Sequence, residues 1–83
     1  MDPGELLQKL NQGRFQNIDF ADLVVLVEAF GFVLKRKSGS HQIFARDGLP
    51  EILNLQPLQG QAKPYQARQL LRLIERYNLK LSE

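Results

Sequence analysis

Residues 31–46 read Gly31-Phe32-Val33-Leu34-Lys35-Arg36-Lys37-Ser38-Gly39-Ser40-His41-Gln42-Ile43-Phe44-Ala45-Arg46, and within them the apolar spacing changes from helical to extended. Phe32 to Lys37 passes into alternation of apolar and basic side chains, the pattern of a half-buried strand. Ser38-Gly39-Ser40 is a turn, and His41 to Arg46 reads as the returning strand. Asp47-Gly48 is a strong hairpin signal, and Glu51-Ile52-Leu53-Asn54-Leu55-Gln56 reads as the third strand. The pattern predicts a three-stranded antiparallel meander over residues 32–56.

Upstream, Phe20, Leu23, Val24 and Val27 fall at i, i+3, i+4 and i+7, the spacing of one buried helix face. Asp19 can cap this helix, Asp22 sits at its third position, and Ile18 with Leu23 suits a hydrophobic staple. Gly31 supplies the left-handed residue that commonly ends a helix. An earlier, shorter helix opens at Asp2-Pro3-Gly4-Glu5 with an N-cap acceptor, a first-turn proline and a glutamate three residues after the cap. Leu6, Leu7 and Leu10 make its apolar edge, and Asn11-Gln12-Gly13 stops it.

Downstream, Pro57 to Ala62 is a polar loop, and a last helix begins near Pro64. Its buried stripe is read as Ala67, Leu70, Leu71, Ile74 and Tyr77. Arg68, Arg72 and Arg76 recur every four residues and form a basic ridge on another face. The order helix, helix, three strands, helix predicts an α+β fold of the double-stranded-RNA-binding-domain type. The helices near 20–30 and 64–77 would pack on one face of the sheet, with an extra N-terminal helix in front. Residues 1–83 are read as a single domain without internal repeat or linker.

The 83 residues include no cysteine, which excludes disulfides, thiolate zinc sites and a cysteine nucleophile. So small a domain without disulfide staples favours the reducing cytoplasm. The start lacks the basic and apolar regions of a signal peptide. The longest apolar run, Leu23 to Val27, is far too short for a bilayer span. The expectation is a cytoplasmic protein with no membrane association and no small-molecule cofactor, working through a shallow, exposed site.

Net charge is +2, unevenly spread. Residues 1–34 hold Lys9 and Arg14 against Asp2, Glu5, Asp19, Asp22 and Glu28, a net −3. Residues 35–83 hold nine basic groups against Asp47, Glu51, Glu75 and Glu83, a net +5, which suits a polyanionic partner.

His41 is the only histidine, and histidine is the side chain that ordinarily titrates near neutrality. It follows a flexible turn and a basic strand, with Lys35, Arg36 and Lys37 as cationic neighbours. RNA cleavage by 2′-hydroxyl attack needs a base, an acid for the leaving oxygen, and cations for the phosphorane. His41 with Lys35, Lys37 and Lys63 suits the first and last needs, although a plain surface histidine in a hairpin is the commoner reading of such a position. One histidine excludes a two-histidine relay within the chain, so the second proton passes through water, a lysine, Tyr65 or a partner subunit. A metal site at His41 lacks neighbouring ligands, so none is expected. Ser40 cannot pair with the adjacent His41 in a serine triad, because neighbours on a strand point to opposite faces. Arg68 and Arg72 of the ridge, with Lys63, suit phosphate gripping, and a solvated helix face suits them equally. Tyr65 and Phe44 are more often core or rim than base-stacking platforms. The alternatives to an enzyme are a non-catalytic RNA-binding module on the same face and a protein-interaction domain.

The chain resembles the HicA family of toxins from prokaryotic type II toxin–antitoxin systems. The resemblance is carried by Phe20-Ala21-Asp22-Leu23 on an aspartate-led helix ending at Gly31-Phe32, and by a basic strand leading into Gly39-Ser40-His41 with Phe44 beyond. Asn54-Leu55-Gln56-Pro57 and Ala62-Lys63-Pro64-Tyr65-Gln66 are similar to a longer-bodied subgroup. The resemblance implies a messenger-RNA-cleaving endoribonuclease neutralised by a HicB antitoxin that covers the active site. It implies that His41 is catalytic and that Gly39 and Ser40 lead into it. The N-terminal helix goes beyond the body of the shortest members.

Overall fold

The computed structural model describes residues 1–81, so the last two residues of the expected domain, 82–83, lie outside the described residues. The elements are α1 (Pro3–Asn11), α2 (Phe20–Ala29), β1 (Val33–Ser38), β2 (His41–Ala45), β3 (Leu53–Leu55) and α3 (Pro64–Tyr77). The sheet is antiparallel in the order β1-β2-β3. The fold is α+β, with a three-stranded sheet, three helices and one of them N-terminal, consistent with the double-stranded-RNA-binding-domain type.

Phe44 of β2 and Leu53 and Leu55 of β3 form the inward face, with Phe44 opposite Leu53 in register. They share one core with Leu6 and Leu10 of α1, Leu23, Leu26 and Val27 of α2, and Ala67, Leu70 and Leu73 of α3. Asp2 caps α1 by accepting from the Glu5 amide at 3.3 Å. The exit from α2 follows from its sequence. Gly31 adopts φ +89°, its N–H bonds the Glu28 carbonyl at 2.9 Å, and the Phe32 N–H bonds that of Val27 at 3.3 Å. Phe32 and Val27 are both buried, so the hydrophobic contact that accompanies this helix stop is available.

Several local expectations are corrected. Asp19 occupies the N-cap of α2, but its side chain makes no capping bond. The Phe20 N–H instead finds the Gly60 carbonyl at 3.0 Å, so a distant loop does part of the cap's work. Leu26, rather than Val24, completes the buried face of α2. In α3 the buried arc holds Gln66 and Leu73, while Leu71 sits at its margin, because the arc centres on Leu70 rather than on the 67–71–74 row.

β1 was expected to be half-buried, yet every residue from Val33 to Ser38 is exposed. It is one of the sheet's two edge strands, the other being β3 with Leu53 and Leu55 buried, and its register slips between Leu34 and Arg36, leaving Lys35 in a bulge. The expected third strand is cut to Leu53–Leu55. The turn at Asp47-Gly48 forms, with the Leu49 N–H on the Arg46 carbonyl at 3.1 Å, but Pro50 has no N–H to offer a ladder. Glu51 is drawn instead to α3, accepting from the Tyr77 hydroxyl at 2.7 Å and pairing with Arg76 at 3.4 Å.

This clamp gives a pH prediction. The hydrogen bond to Glu51 is the main cause holding the Tyr77 phenol above its ordinary value, with burial and the carboxylate charge adding and the Arg76 charge opposing. A raised pKa in the folded state means that folding tightens the proton. The contribution is therefore complete below the ordinary tyrosine range and is lost as pH rises through the raised value. Tyr77→Phe is expected to lower the urea midpoint near neutrality, and its difference from the parent is expected to shrink as pH rises through the raised phenol value. Equal midpoints near neutrality would show that the clamp adds nothing.

Candidate functional site

Gly39-Ser40-His41, Asn54-Leu55-Gln56 and Lys63-Pro64-Tyr65-Gln66 meet at one end of the sheet. Ser38 pairs with His41, so Gly39 and Ser40 form a two-residue hairpin loop in which Gly39 alone has positive φ, +60°. That backbone favours glycine at the first loop position. No atom lies within 4 Å of where a Gly39 Cβ would be, so the requirement is conformational and not one of space.

His41 opens β2 and is exposed. Phe44 is held inward, so alternation puts His41 and Ile43 on the opposite face. Asn54, between buried Leu53 and Leu55, faces the same way. The two meet there, with His41 Nδ1 3.1 Å from Asn54 Oδ1. An amide oxygen can only accept, so the contact is a hydrogen bond in the tautomer that carries its proton on Nδ1, and that tautomer leaves Nε2 as the ring's acceptor.

A second chain of bonds ties the loop to α3. Gln56 donates from Nε2 to Ser40 Oγ at 2.9 Å and accepts from Lys63 Nζ at 3.4 Å. Gln66, wholly buried, donates to the Gln56 carbonyl at 3.2 Å, and the same nitrogen lies 3.5 Å from the Tyr65 hydroxyl. Its Oε1 has no hydrogen-bond partner. A buried amide therefore fixes the end of β3, and through Gln56 the Gly39–Ser40 loop.

Of the residues expected at a site, Gly39, Ser40, His41 and Lys63 come together. In register, Lys37 lies opposite Gln42 and so belongs to the face away from His41, while Lys35 occupies the bulge. The cation that shares the His41 face is Arg36, opposite Ile43. The arginine ridge is divided. Arg68 stacks over the Phe15 ring at 5.3 Å, and Arg76 is engaged by Glu51. Arg72 lines a concavity of about 310 Å³ that shares no residue with the His41 cluster. Tyr65 is half-exposed at the site's edge, whereas Phe44 is core.

Sequence reasoning missed Asn54, Gln56 and Gln66 as site residues. Asn54 was legible as the outward position between two inward leucines, and Gln66 as an amide on a buried helical stripe. Among the described residues no three of His, Cys, Asp or Glu gather as a metal site, and no helix is long and apolar enough to cross a membrane.

The Asn54 contact is testable, because a lone histidine gives one imidazole spin system. Asn54→Ala is expected to move the ring ¹⁵N shifts towards a tautomer mixture while circular dichroism stays unchanged. Identical nitrogen shifts in the two proteins would show that Asn54 does not set the tautomer.

Comparison with curated proteins and with solved structures gives no match. A family model described as HicA toxin of bacterial toxin-antitoxin matches residues 20–75. That span takes in α2, all three strands, nearly all of α3, and every residue of the cluster from Ser40 to Gln66. The family's place in toxin–antitoxin pairs implies an antitoxin partner, and by this match the chain belongs to the HicA toxin family.

Proposed function

We propose that this toxin is a metal-independent endoribonuclease acting on messenger RNA in the cytoplasm, with His41 as its acid–base group. The observation that carries the reading is the exposed imidazole whose Nδ1 meets Asn54, while Nε2 has no hydrogen-bond partner among the described residues. Nε2 takes the proton of a 2′-hydroxyl as its oxygen attacks the adjacent phosphorus. The new 2′-O–P bond forms, the P–O5′ bond breaks, and the leaving 5′ oxygen takes up a proton. The products are a 2′,3′-cyclic phosphate and a 5′-hydroxyl. Lys63 is the amine of the cluster, and Arg36 shares the His41 face; both suit the charge that develops on the phosphorane. Lys63 is also the cluster's candidate for returning the second proton. Metal independence is supported by the donor set around His41, which is amides, a hydroxyl and cations, a poor environment for a divalent ion.

A HicB-type antitoxin that covers the His41 face accounts for control of such an activity. The net positive charge of residues 35–83 suits an acidic partner and fast electrostatic association.

The test is purified chain with RNA in excess EDTA, parent beside His41→Ala. His41→Ala is expected to lose ~10²–10⁴ in cleavage rate with an unchanged dichroism spectrum. The parent's products are expected to end in a cyclic phosphate. Cleavage that requires magnesium, or an alanine variant cutting at the parent rate, would overturn the mechanism. RNA binding without any cleavage would make the chain a binding module of the same fold.

A further inference from the structure

Lys9 and Arg14 are the only basic residues before residue 35, in a segment that carries five carboxylates. Both line one groove of about 360 Å³, together with Phe15 and Arg68, and no carboxylate lines it. The groove lies between the α1–α2 connector and α3. Its shape is fixed locally: Gly13 and Asn17 take left-handed backbone, at φ +78° and +57°, and bracket the connector. The Arg14 N–H bonds the Lys9 carbonyl at 3.1 Å. Phe15 packs against the core from a half-buried position, and the Arg68 guanidinium lies over its ring at 5.3 Å. A cation held on an aromatic face is oriented yet keeps its charge for a ligand.

None of the three cations has a carboxylate within ion-pairing distance among the described residues. Lys9 spends its ammonium on the Asn17 carbonyl at 3.4 Å, and Arg14 reaches only the Gln12 amide oxygen at 3.4 Å. Glu5 stands one turn from Lys9 without pairing to it. Three uncompensated cations around one groove make a strongly anion-seeking surface.

The groove also leads somewhere. Gln16 and Asn17 line both it and a second depression of about 220 Å³, whose far wall includes Lys63. Lys63 bonds Gln56, which bonds Ser40 beside His41. Shared lining residues and hydrogen bonds therefore link the His41 cluster to the connector, with Lys63 at one end and Lys9, Arg14 and Arg68 at the other. Lys9, Arg14 and Phe15 all lie outside the span shared with the family model, so that end of the link is built largely by the N-terminal segment.

We propose that this groove is a second subsite for the phosphates of single-stranded RNA, in which Lys9, Arg14 and Arg68 hold the strand that runs on from His41. The proposal rests on RNA being the substrate. Its role is to bind and align strands long enough to span both sites, so it acts on affinity and leaves chemistry on short fragments alone.

The experiment uses the full chain with His41→Ala, so that RNA is bound and not cut. A fluorescein-labelled single-stranded RNA of about 20 nucleotides is titrated by polarisation over a range of salt. Lys9→Gln with Arg14→Gln is expected to weaken binding roughly tenfold at low salt and to reduce the slope of log K against log salt by about 1.4, two single-strand phosphate contacts at 0.7 each. Lys80→Gln, a charge loss beyond α3, is expected to change neither. With His41 restored, cleavage of a trinucleotide is expected to be the same with and without the two groove substitutions. Parent binding with unaltered affinity and slope in the double variant would overturn the groove alone. Lost association with the antitoxin while RNA binding stayed intact would assign the groove to a protein partner and overturn it too. A parent chain that neither binds nor cleaves RNA would overturn the substrate reading first, and this subsite with it.

Discussion

Phe44, Leu53 and Leu55 are held inward by the helical layer, and because side chains alternate along a strand, their burial leaves His41 and Asn54 only the outer face. A slip of one residue in either strand would put the imidazole or its amide partner into the core and an apolar side chain into water. The core and the candidate site are thus two faces of one register. The residues that hold the register are not those that would react, which lets the outer face carry polar groups at little cost to folding.

Around that register the site is assembled from amides more than from charges. Asn54 orients the imidazole, Gln56 links the loop to Lys63, and Gln66 anchors Gln56 from inside the protein. Amides donate and accept without titrating, so the Gln56 and Gln66 bonds that position the loop do not depend on the charge of the ring. The buried Gln66 is the demanding member, with one acceptor left unpaired. Such a residue is tolerated where the position it holds matters more than local stability.

How much of this was legible follows from which signals are local. The change of apolar spacing at Gly31 and its return at Pro64 located the sheet and both covering helices, because periodicity reports burial directly. The α2 exit was legible for the same reason, from one glycine between buried side chains. The length of β3 was not, because Pro50 and the pull of Glu51 towards Tyr77 are tertiary matters. The exposure of β1 was hidden because alternation gives parity but not which of the two edge strands the helices cover. His41 stood out as the lone imidazole, and Lys63 was chosen by charge and lies in the cluster. Charge does not separate Lys35 and Lys37 from their neighbour Arg36, and register gives the His41 face to Arg36. Parity counted back from the Ser38–His41 pair would have found it.

An open edge strand is a template for sheet extension, and β1 carries six exposed residues of it. Its central run is Lys35-Arg36-Lys37, with Lys35 in the bulge. If two copies paired β1 against β1 in the antiparallel sense, the cations of one would lie against those of the other, and the bulge would break the ladder where they met. The same strand that leaves this edge unprotected by burial therefore carries its own barrier to pairing with a second copy of itself.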